Sequence, residues 1–390
     1  MSSPYELFAV TAPGLERVCA AELSQLGITG ESTSGGVSWR GDRASLYRSN
    51  LELRTASRVI ARAGEFRARG FPELERRAAR LSWRGFLAPG TTVTLRVTSR
   101  KSKLYHERAV ADRLARVLEA EAGAQVQEAR NGAEDEDGIS GQLIIVRLFR
   151  DVCTISVDSS GALLHLRGYR QAVAKAPLRE TIAAAMLLAS GWRGDTPLID
   201  PFCGSGTIPI EAALLARRIA PGIANAELRP RGFRFEHWPD FDRGTYERIL
   251  SDARRRIRDD APRIIGADRN AGAIAAAQSN AARAGVSADV ELQRAALDDL
   301  TPPDDADTGH LVTNPPYGVR IGERRELLAL YAKLGEVAAT RLPGWKATIL
   351  SADDALARAT GLPLRELLAT RNGGIPVSLL STAHSDAPAV

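Results

Sequence analysis

The apolar positions of the first half of the chain switch repeatedly between a period of two and a helical period. Glu6–Ala12 alternates and predicts a strand. Pro13–Leu26 carries a helical period, with Pro13 suited to the first turn and Gly27 placed just past the end. Gly35-Gly36 ahead of Val37-Ser38-Trp39 predicts a hairpin turn. Leu46–Ile60 and Phe71–Leu81 read as helices, Thr91–Thr98 as a β-branched strand and His106–Gly123 as a helix. An acidic, polar stretch, Asn131–Gly138, precedes two strands, Leu143–Phe149 and Cys153–Asp158. No phosphate-binding loop occurs in this half, which predicts a compact α+β module.

Gly168–Pro177 reads as a linker, and beyond it strand and helix alternate regularly. Helix Arg179–Ser190 is followed by a short apolar strand, Pro197–Pro201, that runs into Phe202-Cys203-Gly204-Ser205-Gly206-Thr207 and helix Ile208–Ile219. Strand Ile264–Ala267 ends at Asp268, and the alanine-rich helix Ala271–Ala284 is closed by Gly285. Strand Asp289–Gln293 comes next, then strand His310–Thr313, which ends at Asn314-Pro315-Pro316-Tyr317. Helix Glu326–Ala339, strand Lys346–Leu350 and two further strand-like stretches complete the pattern. Such alternation predicts an open parallel sheet with helices on both faces. Ligands of such sheets bind at the C-terminal ends of the strands. The glycine loop, Asp268 and Asn314–Tyr317 all fall there.

Composition narrows the class. A chain of 390 residues is long enough for two or three domains, and 44% hydrophobic with 25% charged residues is ordinary for a globular protein. No apolar run is long enough for a membrane helix, and the first residues lack a signal-peptide pattern, so a cytoplasmic protein is expected. Cys19, Cys153 and Cys203 lie far apart, which argues against a disulfide framework and a CxxC metal site. His165 and His237 have no ligand-spaced partners, so no metal is expected. The net charge of +5 admits a nucleic-acid partner without requiring one.

Three short motifs carry the chemistry. In Asp200–Thr207, two glycines after a strand let the backbone approach a ligand and turn into a helix whose N-terminus attracts a carboxylate or phosphate. The pattern is neither GxGxxG nor a P-loop. Asp200 can accept from an ammonium group, and Phe202, Gly204, Gly206 and Thr207 shape the loop. Gly266-Ala267-Asp268-Arg269 ends the next strand with an acid able to hold both hydroxyls of a ribose. Asp268 lies beyond the ~20-residue spacing usual for such an acid, and an insertion over Pro221–Asp259 accounts for the gap. In Asn314-Pro315-Pro316-Tyr317-Gly318 the prolines make a rigid loop. There the Asn314 side-chain oxygen and the Pro315 carbonyl can accept both hydrogens of an exocyclic amino group, while Tyr317 stacks on the base. Taken singly, each motif also reads as an ordinary turn or strand end.

A basic segment, Thr98–Arg108, joins a strand to a helix. Arg100, Lys101, Lys103, His106 and Arg108, with Tyr105 available for stacking, suit an RNA backbone, although a solvated charged turn would look the same. The cluster Arg254, Arg255, Arg256 and Arg258 reads as a solvated helix face.

Together, Asp200–Thr207, Asp268 and Asn314–Tyr317 resemble the class I S-adenosylmethionine-dependent methyltransferases of the Asn-Pro-Pro-Tyr, amino-methylating type. The N-terminal half resembles a ferredoxin-like region followed by a THUMP domain, in Pro13–Glu16, Gly35–Val37, Ser99–His106 and Leu164–Arg170. Ala176–Thr181 is similar to the entry into the methyltransferase domain. The resemblance covers nearly the whole chain and is nearest to the bacterial THUMP-containing guanine-N2 methyltransferases. Among these it is most similar to the half of the large-subunit ribosomal RNA enzyme that makes N2-methylguanosine.

This resemblance implies a ferredoxin-like region at 1–60, a THUMP RNA-binding domain at 61–167 and a doubly wound, Rossmann-like methyltransferase domain at 168–390. It further implies S-adenosylmethionine as cofactor, held by Asp200, Phe202, Gly204, Gly206, Thr207, Asp268 and Arg269. Some relatives carry a second domain that makes 7-methylguanosine, and the sequence ends before one. The family usually has an acidic residue after the third strand to contact adenine. Arg294 stands there, so either Asp298 takes that contact or backbone does. Ribosomal RNA is the expected substrate, with transfer RNA as the alternative. DNA adenine-N6 methylation and a catalytically dead RNA-binding protein are the remaining readings.

Overall fold

The period-two stretches of the first half pair into one continuous sheet. The computed structural model describes residues 4–127, 141–170, 178–303, 306–317 and 324–382. Its first strands are β1 (Tyr5–Thr11), β2 (Glu31–Thr33), β3 (Gly36–Gly41), β4 (Ala56–Arg67), β5 (Thr92–Arg100), β6 (Gln125–Gln127), β7 (Gln142–Phe149) and β8 (Val152–Asp158). They lie in the order β2-β3-β1-β4-β8-β7-β5-β6, antiparallel except where β5 meets β6 and β7. Helices α1 (Glu16–Gln25), α2 (Arg43–Glu52), α3 (Phe71–Ala78) and α4 (Glu107–Ala122) accompany this sheet.

Two expectations for this half are corrected. Pro13 is not in the first helical turn, because α1 starts at Glu16. Gly14 takes a φ of +88°, and a Cβ on it would lie 1.8 Å from the Ala369 carbonyl oxygen. The chain is therefore occupied in passing tightly beneath the second half before it can coil. Leu46–Ile60 is not one helix either. The Glu22 carboxylate captures the Arg54 and Thr55 N–H groups at 2.8 and 3.0 Å, ending α2, and β4 begins at Ala56. β4 then runs through residue 60, so one sheet spans the expected division between 1–60 and 61–167. Asn131–Gly138 and most of Gly168–Pro177 lie outside the described residues.

The second sheet comprises β9 (Leu198–Asp200), β10 (Ile264–Asp268), β11 (Glu291–Arg294), β12 (His310–Thr313), β13 (Lys346–Ser351), β14 (Arg365–Asn372) and β15 (Ile375–Ser381). Its helices are α5 (Glu180–Ala189), α6 (Thr207–Ala216), α7 (Arg243–Arg255), α8 (Ala271–Ala284), α9 (Arg324–Arg341) and α10 (Asp354–Ala359). The strand order is β11-β10-β9-β12-β13-β15-β14. Neighbouring residues face opposite cores: Leu198 and Ile264 join the cluster around α6, whereas Ile199 and Ile265 pack with Tyr331 and Leu334 of α9. This burial on both faces is that of a doubly wound domain.

The sheet is not wholly parallel as expected, since β15 inserts antiparallel between β13 and β14. Gly373 and Gly374 follow β14 with φ of +55° and +84°, the left-handed pair that a tight hairpin requires.

The stretch Pro221–Asp259 does more than lengthen a loop. Its aromatic residues pack on the first half of the chain, where Phe235 stacks on Tyr47 of α2 with centroids 4.5 Å apart and Trp238 meets Phe86 edge-on at 5.0 Å. Trp238 Nε1 also donates to Gln142 Oε1 at 2.9 Å. Arg54 donates to the Leu214 and Ile219 carbonyls at 3.2 and 2.7 Å, and buried Arg167 pairs with Glu211 at 3.4 Å. Helix α6, which carries the glycine loop, is thereby anchored from the first half. Arg254 and Arg255 sit on the exposed helix face expected of them, whereas Arg256 and Arg258 lie past the end of α7, Arg256 bridging to Glu52 at 2.7 Å and half-buried Arg258 pairing with Asp260 at 3.2 Å.

Candidate active site

The short buried strand β9 leads into the glycine loop, whose turn needs left-handed backbone at Gly204 (φ +52°) and Gly206 (φ +84°). This aims the N-terminus of α6 along the strand ends. A Cβ on Gly206 would lie 2.9 Å from Ala277 Cβ, so its size is set by the packing of α6 on α8. Gly204 lines the cavity, and Gly206 sits behind it against α8.

Asp200 is buried, and its Oδ1 accepts from Thr313 Oγ1 at 2.6 Å and from the Phe202 N–H at 3.1 Å. Burial pushes its carboxyl up to about 7, against the pull of those two bonds, and the Asp268 charge adds to the rise. Asp268 accepts from the Gly204 N–H at 3.1 Å and the Asn270 N–H at 2.8 Å, one on each oxygen. Each Asp268 oxygen keeps a lone pair, enough for a pair of hydroxyls.

The strand ends enclose a cavity of about 670 Å³. Asp200, Phe202, Gly204, Thr207, Asp268, Arg269, Asp298, Asn314, Pro315, Pro316 and Tyr317 all line it. Arg294 is not on the wall, and its Nε donates to the Arg269 carbonyl at 3.2 Å. The adjoining wall is made by Ala295, Ala296, Leu297 and Asp298, with Asp298 paired to Lys333 Nζ at 2.7 Å.

On the opposite wall the Asn314 Oδ1 is buried and has no hydrogen-bond partner among the described residues. Half-buried Tyr317 accepts at its hydroxyl from Asn372 Nδ2 at 2.9 Å. Leu178, Leu330, Lys333, Asn372 and Ile375 also line the cavity and were not anticipated. Asn372-Gly373-Gly374 is a hairpin signal that could have drawn attention to the last two.

The basic residues lie apart from this cavity. Arg100, Lys101, Lys103, Tyr105, His106 and Arg108 are all exposed at the β5–α4 turn. The Tyr105 ring is 67% exposed and lies 4.1 Å from that of His106, so two flat faces stand side by side in solvent. The turn is braced by the β7–β8 hairpin, where Asp151 Oδ1 accepts from the Lys103 N–H at 2.8 Å. That hairpin adds exposed Phe149, with Arg150 and Arg147 over its ring at 5.2 and 5.8 Å. These three were not expected at the surface patch.

Cys19, Cys153 and Cys203 are buried and free. Burial pushes His165 down to about 3. Among the described residues no cluster of His, Cys, Asp and Glu could hold a metal, and no helix is long and apolar enough to cross a membrane.

A doubly wound sheet that gathers a glycine loop, a strand-end acid and an Asn-Pro-Pro-Tyr loop around one nucleoside-sized cavity defines an S-adenosylmethionine-dependent methyltransferase. Comparison with known proteins makes the family plain: residues 167–378 match the RMKL-like methyltransferase domain, and the chain belongs to that family. Residues 6–60 match the RlmL ferredoxin-like domain. The chain is 36% identical over 97% of its length to the "Putative RNA methyltransferase slr0064" of Synechocystis, of which it covers 96%. It is 37% identical to the "Ribosomal RNA large subunit methyltransferase K/L" of Syntrophotalea carbinolica over 98% of its own length, but spans only 54% of that protein. Among solved structures it superposes on SMU.472, "a putative methyltransferase complexed with SAH", with a TM-score of 0.84, 30% identity and full coverage of both chains.

Proposed function

We propose that the protein transfers a methyl group from S-adenosylmethionine to N2 of a guanine in large-subunit ribosomal RNA. The observation that carries this reading is the Asn314 Oδ1, buried on the cavity wall without a donor among the described residues, in a loop stiffened by Pro315 and Pro316. A buried acceptor left unpaired is costly, and an exocyclic amino group would satisfy it. The nitrogen of such a group is a weak nucleophile because its lone pair is delocalised into the ring. Asn314 Oδ1 and the Pro315 carbonyl, each accepting one hydrogen, favour a pyramidal nitrogen and disperse the charge that develops as the methyl arrives. This is catalysis by placement and electrostatics, and it asks for no general base. Tyr317 stacks on the base, which must leave any duplex to enter the cavity.

The wall of Asp200, Phe202, Gly204 and Thr207 would take the amino-acid end of the cofactor, and Asp268 beside Arg269 its ribose. The 295–298 loop, including Asp298, would take its adenine. Bound there, S-adenosylmethionine supplies a methyl activated by its sulfonium. The patch of Arg100, Lys101, Lys103, Tyr105, His106 and Arg108 supports residues 61–167 as a THUMP-type RNA-binding domain between a ferredoxin-like region at 1–60 and the methyltransferase domain at 168–390. It would hold the RNA backbone by charge and stack exposed bases. A cytoplasmic location follows from such a substrate.

Mass spectrometry of nucleosides from a deletion strain tests the reading. Loss of N2-methylguanosine from large-subunit ribosomal RNA is expected. Its loss from transfer RNA alone would move the substrate there, and loss of N6-methyladenine from DNA with both RNA pools unchanged would overturn the proposal.

A further inference from the structure

We propose that the tip of the β14–β15 hairpin identifies the target base as guanine, with Asn372 Oδ1 accepting the N1–H while Asn314 holds the amino group. The inference rests on the reading of the cavity as a guanine-N2 site. Asn372 is 2% exposed, lines the cavity and gives its Nδ2 to the Tyr317 hydroxyl at 2.9 Å. With the amide in this orientation, the Asn372 Oδ1 is buried with no partner among the described residues, as is the Asn314 Oδ1 on the same cavity.

Asn314 by itself cannot tell amino-bearing bases apart, because adenine and cytosine also offer an NH2. What separates guanine is the next position on its Watson–Crick edge. Guanine presents a second donor there, N1–H, in the plane of its amino group. Adenine presents the N1 lone pair and cytosine the N3 lone pair, either of which would face the Asn372 oxygen acceptor to acceptor. A second idle oxygen on the same cavity therefore suits guanine and would repel the other two.

The hairpin makes the placement rigid. Asn372 pairs with Ile375 across the turn, Gly373 and Gly374 take φ of +55° and +84°, and Arg371 closes the turn on the Gly374 carbonyl at 3.0 Å. Ile375, 41% exposed at the cavity lip, offers an apolar edge to the entering nucleoside.

The test uses full-length protein and synthetic RNA fragments centred on the guanosine whose N2 the wild type methylates. One fragment carries guanine at that position and a second carries 2-aminopurine, which keeps the N2 amino group but has a lone pair at N1. Single-turnover rates are measured for both, with S-adenosylhomocysteine affinity as the check of folding. The wild type should prefer guanine by on the order of a hundredfold. Asn372→Ala should cut that preference at least tenfold by slowing the guanine reaction, while Asn372→Asp, which still presents an acceptor, should keep it. If Asn372→Ala fails to bind S-adenosylhomocysteine, Asn372→Ser replaces it. Equal slowing of both fragments by Asn372→Ala would overturn the proposal and leave Asn372 as a brace for Tyr317, with guanine-N2 methylation untouched. A third fragment carries adenine at that position, and a wild type that methylates it while leaving the guanine fragment unmethylated would overturn the underlying reading as well.

Discussion

On the cavity wall built from β9 and β10, the acids are already engaged by the fold. Asp200 accepts from Thr313 and Phe202, and Asp268 accepts from Gly204 and Asn270. On the wall built from β12 and the β14–β15 hairpin, the amide oxygens of Asn314 and Asn372 are buried without donors among the described residues. The first wall is held by bonds within the protein, so any ligand there adds to bonds already made. The second wall offers acceptors that a donor-rich guest would satisfy. Groups preorganised in this way act on the transition state because no reorganisation is needed when charge develops. On the proposed reading the acid wall would bind the cofactor and the amide wall would serve the chemistry, and variants of each wall separate the two.

Asn314→Ala should have the largest effect. It removes one of the proposed acceptors and leaves the two prolines that hold the loop. Single-turnover methyl transfer at saturating RNA and cofactor should fall ~10²–10³-fold, the usual loss for one preorganised polar contact. Cofactor affinity should be unchanged. Near-normal turnover would remove the chemical role of the amide wall.

Asp268→Ala should act on the other wall and in the other observable. Loss of hydrogen bonds to a charged acceptor should weaken cofactor binding by roughly 1–3 kcal/mol. Part of that loss is indirect, since the Gly204 and Asn270 N–H groups also lose their acceptor. Calorimetry giving unchanged affinity in a folded variant would move the ribose contact elsewhere.

Changing Arg100, Lys101 and Lys103 together to alanine tests a third region, remote from both walls. RNA affinity should drop at low salt and less so at high salt, and the slope of log K against log salt should shrink by about 2. Cofactor affinity should stay intact. An unaltered slope would make the β5–α4 turn a plain solvated surface.

How much of this could be read in the chain follows the range of the forces involved. α8 and β12 have the limits that their periodicity predicts, since a capping Asn270, a closing Gly285 and an uninterrupted buried strand are local signals. The glycine loop, Asp268 and Asn314–Tyr317 were legible because each motif sits within a few residues of a strand end. Leu46–Ile60 was misread because the group that stops α2, Glu22, lies on another helix and reaches it only in the folded chain. Asn372 was missed for a related reason. Its turn is written in Asn-Gly-Gly, but only the insertion of β15 between β13 and β14 carries that turn to the cavity. The stretch 221–259 read only as an insertion, because the residues that meet its aromatic side chains, Tyr47 and Phe86, come from the other half of the chain.

Tyr317→Phe should give the smallest effect and probe the link within the amide wall. Phenylalanine retains the face that stacks on the base. It loses the hydroxyl that accepts from Asn372 Nδ2, so one buried amide donor is left unpaired and the side chain of Asn372 is less firmly oriented. A neutral hydrogen bond of this kind is worth about 0.5–1.5 kcal/mol net, so the single-turnover rate should fall by no more than roughly tenfold. Tyr317→Ala should be slower, with part of its defect in RNA affinity, because the stacking surface is gone as well. If Tyr317→Phe were as slow as Tyr317→Ala, the hydroxyl rather than the ring would carry the residue's contribution, and the amide wall would be working through the Tyr317–Asn372 bond more than through its idle oxygens.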